Sequence, residues 1–179
     1  MEKFVFNEIS DLARLNNRQR GQIGELAFMR KAASLGLSFA KPWNEGERYD
    51  FIARVDTICW RVQVKSVSSK SVSRSHYRIK TTGRNGPLKQ APYSVNEIDF
   101  LVAYIHPEDI WYVFPSKIIE ARKSLCVRPG SKRSRFEEYR EAWKLMKPIS
   151  AETRSAEVKP AENAPAETVL AAKEKAAGT

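Results

Sequence analysis

The sequence predicts an α/β chain, α+β-like in the order of its elements, with a central mixed β-sheet flanked by helices. Three observations lead there. Apolar residues recur at helical spacing over residues 17–35. They shift to alternating and continuous runs of strand length over 49–114, and helical spacing returns after Pro115. At 179 residues and 42% hydrophobic, the chain can bury one packed interior but is short for two domains.

The elements follow in order. Val5, Ile9, Leu12 and Ala13 predict a short amphipathic helix. A longer helix, carrying Ile23, Phe28, Met29 and Ala32, starts beside Asn17 as a cap and stops at Gly36. Gly21 and Gly24 inside it each cost about 1 kcal/mol relative to Ala. They signal either close approach by a neighbouring backbone or ligand, or a frayed helix start. After a loop over 41–47, residues 49–55 and 58–67 read as a hairpin about Asp56-Thr57. Further strands are expected at 76–81, 99–105 and 111–114, the last two separated by the turn at 106–109. Pro115-Ser116 opens a helix to about Arg122. A last helix over 136–147 would align Phe136, Tyr139, Trp143 and Met146 on one face. Residues 150–179 are Ala, Glu, Lys, Pro and Ser with almost no large apolar side chains, and read as a flexible tail with at most a transient helix near 167–176. The expected organisation is one domain over 1–149, its core at about 17–122 with a basic loop and last helix at 123–147, followed by the tail.

Lys and Arg number 31 against 21 Asp and Glu, a net charge of +10 that favours a polyanionic partner such as nucleic acid. The tail is nearly neutral, so the surplus belongs to the rest. No apolar run approaches the roughly 18 residues of a membrane span, and residues 1–6 lack the core of a signal peptide. The expectation is a cytoplasmic, nucleoid-associated protein without a membrane partner. Cys59 and Cys126 have no companions at zinc spacing and read as buried or incidental thiols. His76 and His106 are likewise assigned no role. No glycine pattern fits a P-loop or dinucleotide site, and no aromatic RNA-stacking motif is present.

The chemistry concentrates in Asp50 on one strand, Gln63-Val64-Lys65 on the next, and Glu25 on the helix upstream. Alternation along a strand puts Gln63 and Lys65 on one face and Val64 on the other. A hairpin can bring Asp50 beside them. Asp50, Gln63 and the Val64 backbone carbonyl then offer hard oxygen ligands to Mg²⁺, with Glu25 as a second carboxylate. Lys65 can act on a phosphate or an attacking water, and phosphodiester cleavage needs those parts. Lys70, Arg74, Arg78, Lys80 and Arg84, interleaved with Ser and Thr, suit contact with DNA phosphates. Arg78 and Lys80 would face away from Tyr77, Ile79 and Thr81. A second basic run includes Arg122, Lys123, Arg128, Lys132, Arg133 and Arg135. Glu97 reads as a solvated turn charge and Asp99 as a strand-start or cap residue.

Gly21-Gln22-Ile23-Gly24-Glu25-Leu26-Ala27, Arg48-Tyr49-Asp50, Val62-Gln63-Val64-Lys65 and Tyr93-Ser94-Val95-Asn96-Glu97-Ile98-Asp99-Phe100 together resemble the PD-(D/E)XK endonucleases, particularly their group I intron-associated, homing-endonuclease-like branch. The resemblance spans about residues 19–119. It implies a restriction-endonuclease-like core and metal-dependent hydrolysis of duplex DNA, with Mg²⁺ as cofactor and Mn²⁺ as a substitute. It also implies that Asp50 binds the metal, Gln63 stands at the second acidic position, Lys65 handles the nucleophile or phosphate, and Glu25 assists. Tyr49 stands where the family name has Pro, and Gln63 where it has a carboxylate. Relatives cut as homo-oligomers, so a dimer or tetramer is expected. The alternative is a non-catalytic DNA-binding protein on a nuclease-like scaffold.

Overall fold

The computed structural model describes residues 14–44, 46–71, 76–84 and 90–147. The expected first helix, the tail and Arg74 lie outside them. In chain order the elements are α1 (Asn17–Ser34), β1 (Ser38–Ala40), β2 (Phe51–Val55), β3 (Ile58–Val67), β4 (Tyr77–Lys80), β5 (Thr82–Arg84), β6 (Gln90–Pro92), β7 (Phe100–Ile105), β8 (Ile110–Pro115), α2 (Ser116–Ile119) and β9 (Ser124–Val127).

Helix α1 begins where its unpaired N–H groups find partners. The cap is Asn16, one residue before the expected Asn17: its side chain accepts from Gln19 N, while the Gln19 side chain accepts from Asn16 N. At the other end Gly36 takes a left-handed φ of +75°. Leu37 N then reaches Ala32 O (2.9 Å) and Gly36 N reaches Ala33 O (3.0 Å), closing the last carbonyls. Gly24, Phe28 and Ala32 form the buried stripe. Close approach explains Gly24: a Cβ there would sit 2.8 Å from the Ser66 Cβ of β3. No such neighbour crowds Gly21.

Five strands form a mixed sheet in the order β1-β2-β3-β7-β8, antiparallel except for the parallel pair β3–β7, which aligns Lys65 with Ala103. The two-residue turn of the β2–β3 hairpin holds Asp56 at φ +52°, a conformation Asp tolerates. Strand β7 is buried along its whole length, which is why Phe100 to Ile105 read as a continuous apolar run. Its alternate residues serve two cores. Phe100, Val102 and Tyr104 join Phe28, Phe51, Val62, Val64, Trp111 and Val113 on the α1 side. Leu101, Ala103 and Ile105 join Tyr77, Ile79, Tyr112, Phe114, Leu125 and Val127 on the other. The expected third strand exists as β4, but it pairs with β9 in a separate two-stranded ribbon instead of entering the central sheet. β5 and β6 form a second ribbon.

Two expected helices are corrected. The one after Pro115 lasts only from Ser116 to Ile119, because Ala121 turns left-handed at φ +58° before Arg122. The segment 136–147 holds two separate 3₁₀ turns, Glu137–Tyr139 and Trp143–Met146. Its helically spaced large side chains pack on opposite sides of the sheet: Phe136 and Tyr139 join the β4–β9 core, Trp143 and Met146 the α1 core. Between them the chain crosses the edge of β8. There Glu141 N donates to Trp111 O and Trp111 N donates to the Glu141 carboxylate, each at 2.8 Å. Covering an open strand edge outweighs continuing a helix. Among the described residues no helix is long and apolar enough to cross a membrane.

Candidate active site

The site lies at a fork in the sheet. Pairing of β2 with β3 ends at Phe51 opposite Val62, while β3 runs on to Val67. Asp50, just before β2, closes the gap: its backbone N–H donates to Val62 O (2.9 Å), and its Oδ2 accepts the Val64 N–H (2.8 Å) that a continued ladder would have satisfied. Gln63 Nε2 donates both to Asp50 Oδ2 and to its neighbour's carbonyl, Val64 O (3.1 Å). The amide nitrogen thus marks a point on which a carboxylate and a carbonyl oxygen converge.

Gln63 and Lys65 project opposite to Val62 and Val64, as the alternation predicts. The Lys65 ammonium donates to the Tyr93 hydroxyl (2.9 Å) and lies 5.1 Å from that ring's centre. Glu25, half-buried on α1, faces the same cleft, but its carboxylate is ion-paired with Lys41 at 2.6 Å. The cleft, about 900 Å³, is lined by Glu25, Asp50, Gln63 and Lys65, by Asn17, Arg20 and Gly21 of α1, by the serine-rich stretch after β3, and by Arg78 and Lys80. Gly21 therefore faces this cavity, whereas Gly24 faces β3. A second recess of about 630 Å³ shares Asp50, Gln63, Lys65 and Lys80 and extends to Arg84 and Tyr93.

Burial raises the Asp50 carboxyl to about 6, and the nearby Glu25 charge adds to the effect against the Val64 hydrogen bond. Burial likewise lowers the Lys65 ammonium, against the attraction of Asp50 and with the repulsion of Arg48 and Lys80. Tyr93 is pushed well above the usual phenol range, first by burial and then by Asp50. Its hydroxyl stays protonated.

The basic residues separate. Arg78 and Lys80 are exposed along β4, alternating with buried Tyr77 and Ile79, and both line the cleft. Lys70 also lines it, but is paired with Glu108 (3.2 Å). Arg84 lies in the second recess. Glu97 is no free turn charge. It pairs with Arg48 Nε (3.2 Å) and accepts from Ser94 N (2.9 Å). Asp99 accepts from Arg61 N (2.7 Å), Nε (3.1 Å) and a terminal guanidinium nitrogen (2.9 Å). Cys59 and Cys126 are both exposed, His76 is buried, and the His106 ring contacts Ser66 Oγ at 2.6 Å.

Arg48 and Tyr93 received no role from sequence, although both stand within the motif blocks. The Arg48 guanidinium donates to the carbonyls of Arg84, Ala91 (3.1 Å) and Pro92 (3.0 Å), and lies 4.6 Å over the Tyr93 ring. It fastens the β5–β6 ribbon to the segment leading into β2, which carries Asp50. Its place two residues before Asp50 was the available signal.

A family profile for the PD-(D/E)XK endonucleases matches residues 15–146, the stretch containing this fork. The chain belongs to the PD-(D/E)XK endonuclease family. A bacterial homing endonuclease, I-Ssp6803I, is similar in structure at a TM-score of 0.65 and 27% identity, over 80% of this chain and 98% of that one. No curated protein sequence matches. The fold is the restriction-endonuclease-like fold that the motif blocks implied, with a five-stranded mixed sheet at its centre.

Proposed function

We propose that this PD-(D/E)XK protein is a Mg²⁺-dependent endonuclease that hydrolyses phosphodiester bonds of duplex DNA, with Mn²⁺ able to substitute. The main support is the half-buried Asp50 carboxylate at the sheet fork, facing one cleft with Glu25, Gln63 and Lys65. The donors suit a hard cation. Asp50 and Val64 O already converge on the Gln63 amide, and reversing that amide would turn its oxygen to the same point. Among the described residues no group of three or more His, Cys, Asp and Glu is assembled. Mg²⁺ does not require one, since one or two carboxylates with waters and substrate oxygens suffice.

Asp50, Gln63 and the Val64 carbonyl would hold the metal, and Glu25 would add charge once it exchanges Lys41. When bound, Mg²⁺ neutralises charge developing on the phosphodiester and raises the acidity of water. Lys65, drawn toward its neutral form by burial, is placed to orient the nucleophile or bind a phosphate oxygen. Lys70, Arg78, Lys80 and Arg84, with Arg74, would run along the DNA backbone, making binding salt-sensitive. Cutting both strands takes two such sites, which a homo-oligomer supplies.

The test is cleavage of supercoiled and linear plasmid with Mg²⁺, Mn²⁺ or EDTA, by the wild type, Asp50→Ala and Lys65→Ala. Metal-dependent nicking lost in both variants is expected. DNA binding indifferent to Mg²⁺ and to Asp50→Ala, with no cutting of any DNA, would instead favour the non-catalytic reading.

A further inference from the structure

We propose that Tyr93 is a positioning residue whose hydroxyl fixes the Lys65 ammonium in the cleft shared with Asp50, and that Gly83 and Arg48 exist to hold Tyr93 there. For its catalytic consequence this rests on the nuclease reading.

Lysine is a poor positional device on its own, because its four-carbon stem rotates freely and its ammonium is a point charge without preferred geometry. A half-buried lysine that serves one atom therefore needs an external constraint. Tyr93 supplies it: at 3% exposure its hydroxyl is removed from bulk water, and it accepts from Lys65 Nζ at 2.9 Å. An ammonium has three donors, so one is committed to Tyr93 and two remain for chemistry.

Tyr93 is itself held on three sides. Its backbone N–H donates to Thr81 O (3.2 Å), anchoring it to the chain just before β5. The Arg48 guanidinium stacks 4.6 Å from its ring centre while bonded to Pro92 O and Glu97. Gly83 presses on the far end: a Cβ there would lie 2.6 Å from the ring carbon Cζ and closer still to the hydroxyl. Gly83 has no left-handed backbone to explain it, and a glycine inside a strand otherwise weakens the strand. Room for the Tyr93 hydroxyl accounts for it. The two-stranded ribbon β5–β6 thereby acquires a purpose as the wall that seats Tyr93 against Lys65.

The experiment separates this inference from the nuclease reading by including a readout that needs neither metal nor DNA. In metal-free protein with ¹⁵N-labelled lysine, a hydrogen-bonded Lys65 ammonium gives a slowly exchanging side-chain signal, identified by its loss in Lys65→Ala. Tyr93→Phe, which keeps the ring, should abolish the slow exchange, and so should Gly83→Ala, which keeps the hydroxyl but displaces it. A wild type without that signal, or variants that retain it, would overturn the proposal. In single-turnover plasmid cleavage, Tyr93→Phe should be slowed about tenfold to a hundredfold, with DNA affinity in Ca²⁺ within about twofold of wild type and an unchanged unfolding midpoint. Tyr93→Leu should lose the same rate and, unlike Tyr93→Phe, lose stability as well. A wild type that cuts no DNA removes the nuclease reading, while the Lys65 signal still decides the placement.

Discussion

Asp99 and Asp50 are two aspartates held by residues of the same strand, β3, and they are treated in opposite ways. Asp99 receives the Arg61 backbone N–H and two guanidinium nitrogens, and Asp99 N returns a bond to Arg61 O at 2.9 Å. Its charge is matched and three N–H groups hold its two oxygens, so it works as a joint where β7 begins beside β3. Asp50 receives one backbone N–H and one neutral amide, has no guanidinium, and lies close enough to Glu25 to feel its charge. A matched carboxylate stabilises a fold. One without a salt-bridge partner, which desolvation lifts despite the nearby Lys65 and Lys41 charges, stores the electrostatic demand that a cation can satisfy.

The largest separation should come from isosteric neutralisation of each. Asp50→Asn is expected to weaken Mg²⁺ binding at least about tenfold and to stabilise the metal-free protein at pH 8 by about 1–3 kcal/mol, since folding raises this carboxyl from 3.8 to about 6. Asp99→Asn should leave Mg²⁺ affinity within about twofold and cost about 1–2 kcal/mol by leaving Arg61 without its charge partner. Urea unfolding and titration calorimetry on the same preparations decide it. If Asp50→Asn destabilises and Asp99→Asn does not, the two roles are assigned the wrong way round.

A pH series sharpens the same contrast. The Asp50 contribution to stability is fully present below 3.8, declines as pH rises, and is lost above about 6, because the folded protein holds this proton more tightly than the unfolded chain. Metal affinity runs the other way. Mg²⁺ binding should fall about tenfold per pH unit below 6, as the proton competes for the carboxylate. Asp99→Asn should follow the wild-type curve, and a flat wild-type profile between pH 5 and 8 would remove Asp50 from the ligand set.

The difference between the two aspartates was only partly legible in the sequence. Period-2 alternation placed Gln63 and Lys65 together, and the apolar run of β7 marked a strand, because these follow from local geometry. The spacing of Phe136, Tyr139, Trp143 and Met146 misled, since the same spacing arises when two short turns feed opposite faces of a sheet. β4 read correctly as a strand, but its partner β9 lies more than forty residues on, beyond any local pattern. The partners of Asp99, Glu97 and Tyr93 are long-range in the same way: Arg61, Arg48 and Lys65 come from other strands or loops. Local composition marks a charge as unusual. It cannot say which distant charge answers it.

Glu25 falls between the two aspartates and supplies the smallest test. Its partner Lys41 holds it at 2.6 Å, yet the Lys41 side chain is 54% exposed, so the pair can open at little cost, unlike the Asp99 joint. Lys41 also lies 5.3 Å from the Phe51 ring centre, a contact that gives the cation a resting place beside the hairpin. If Lys41 acts as a removable substitute for a metal charge, Lys41→Ala should tighten Mg²⁺ binding by about twofold to fivefold and shift stability by less than about 0.5 kcal/mol. Calorimetry at pH 8, where Asp50 is ionised with or without Lys41, isolates the effect. Weaker binding in Lys41→Ala would mean that the lysine holds Glu25 in place for the metal, and Glu25 would then join the constrained carboxylates.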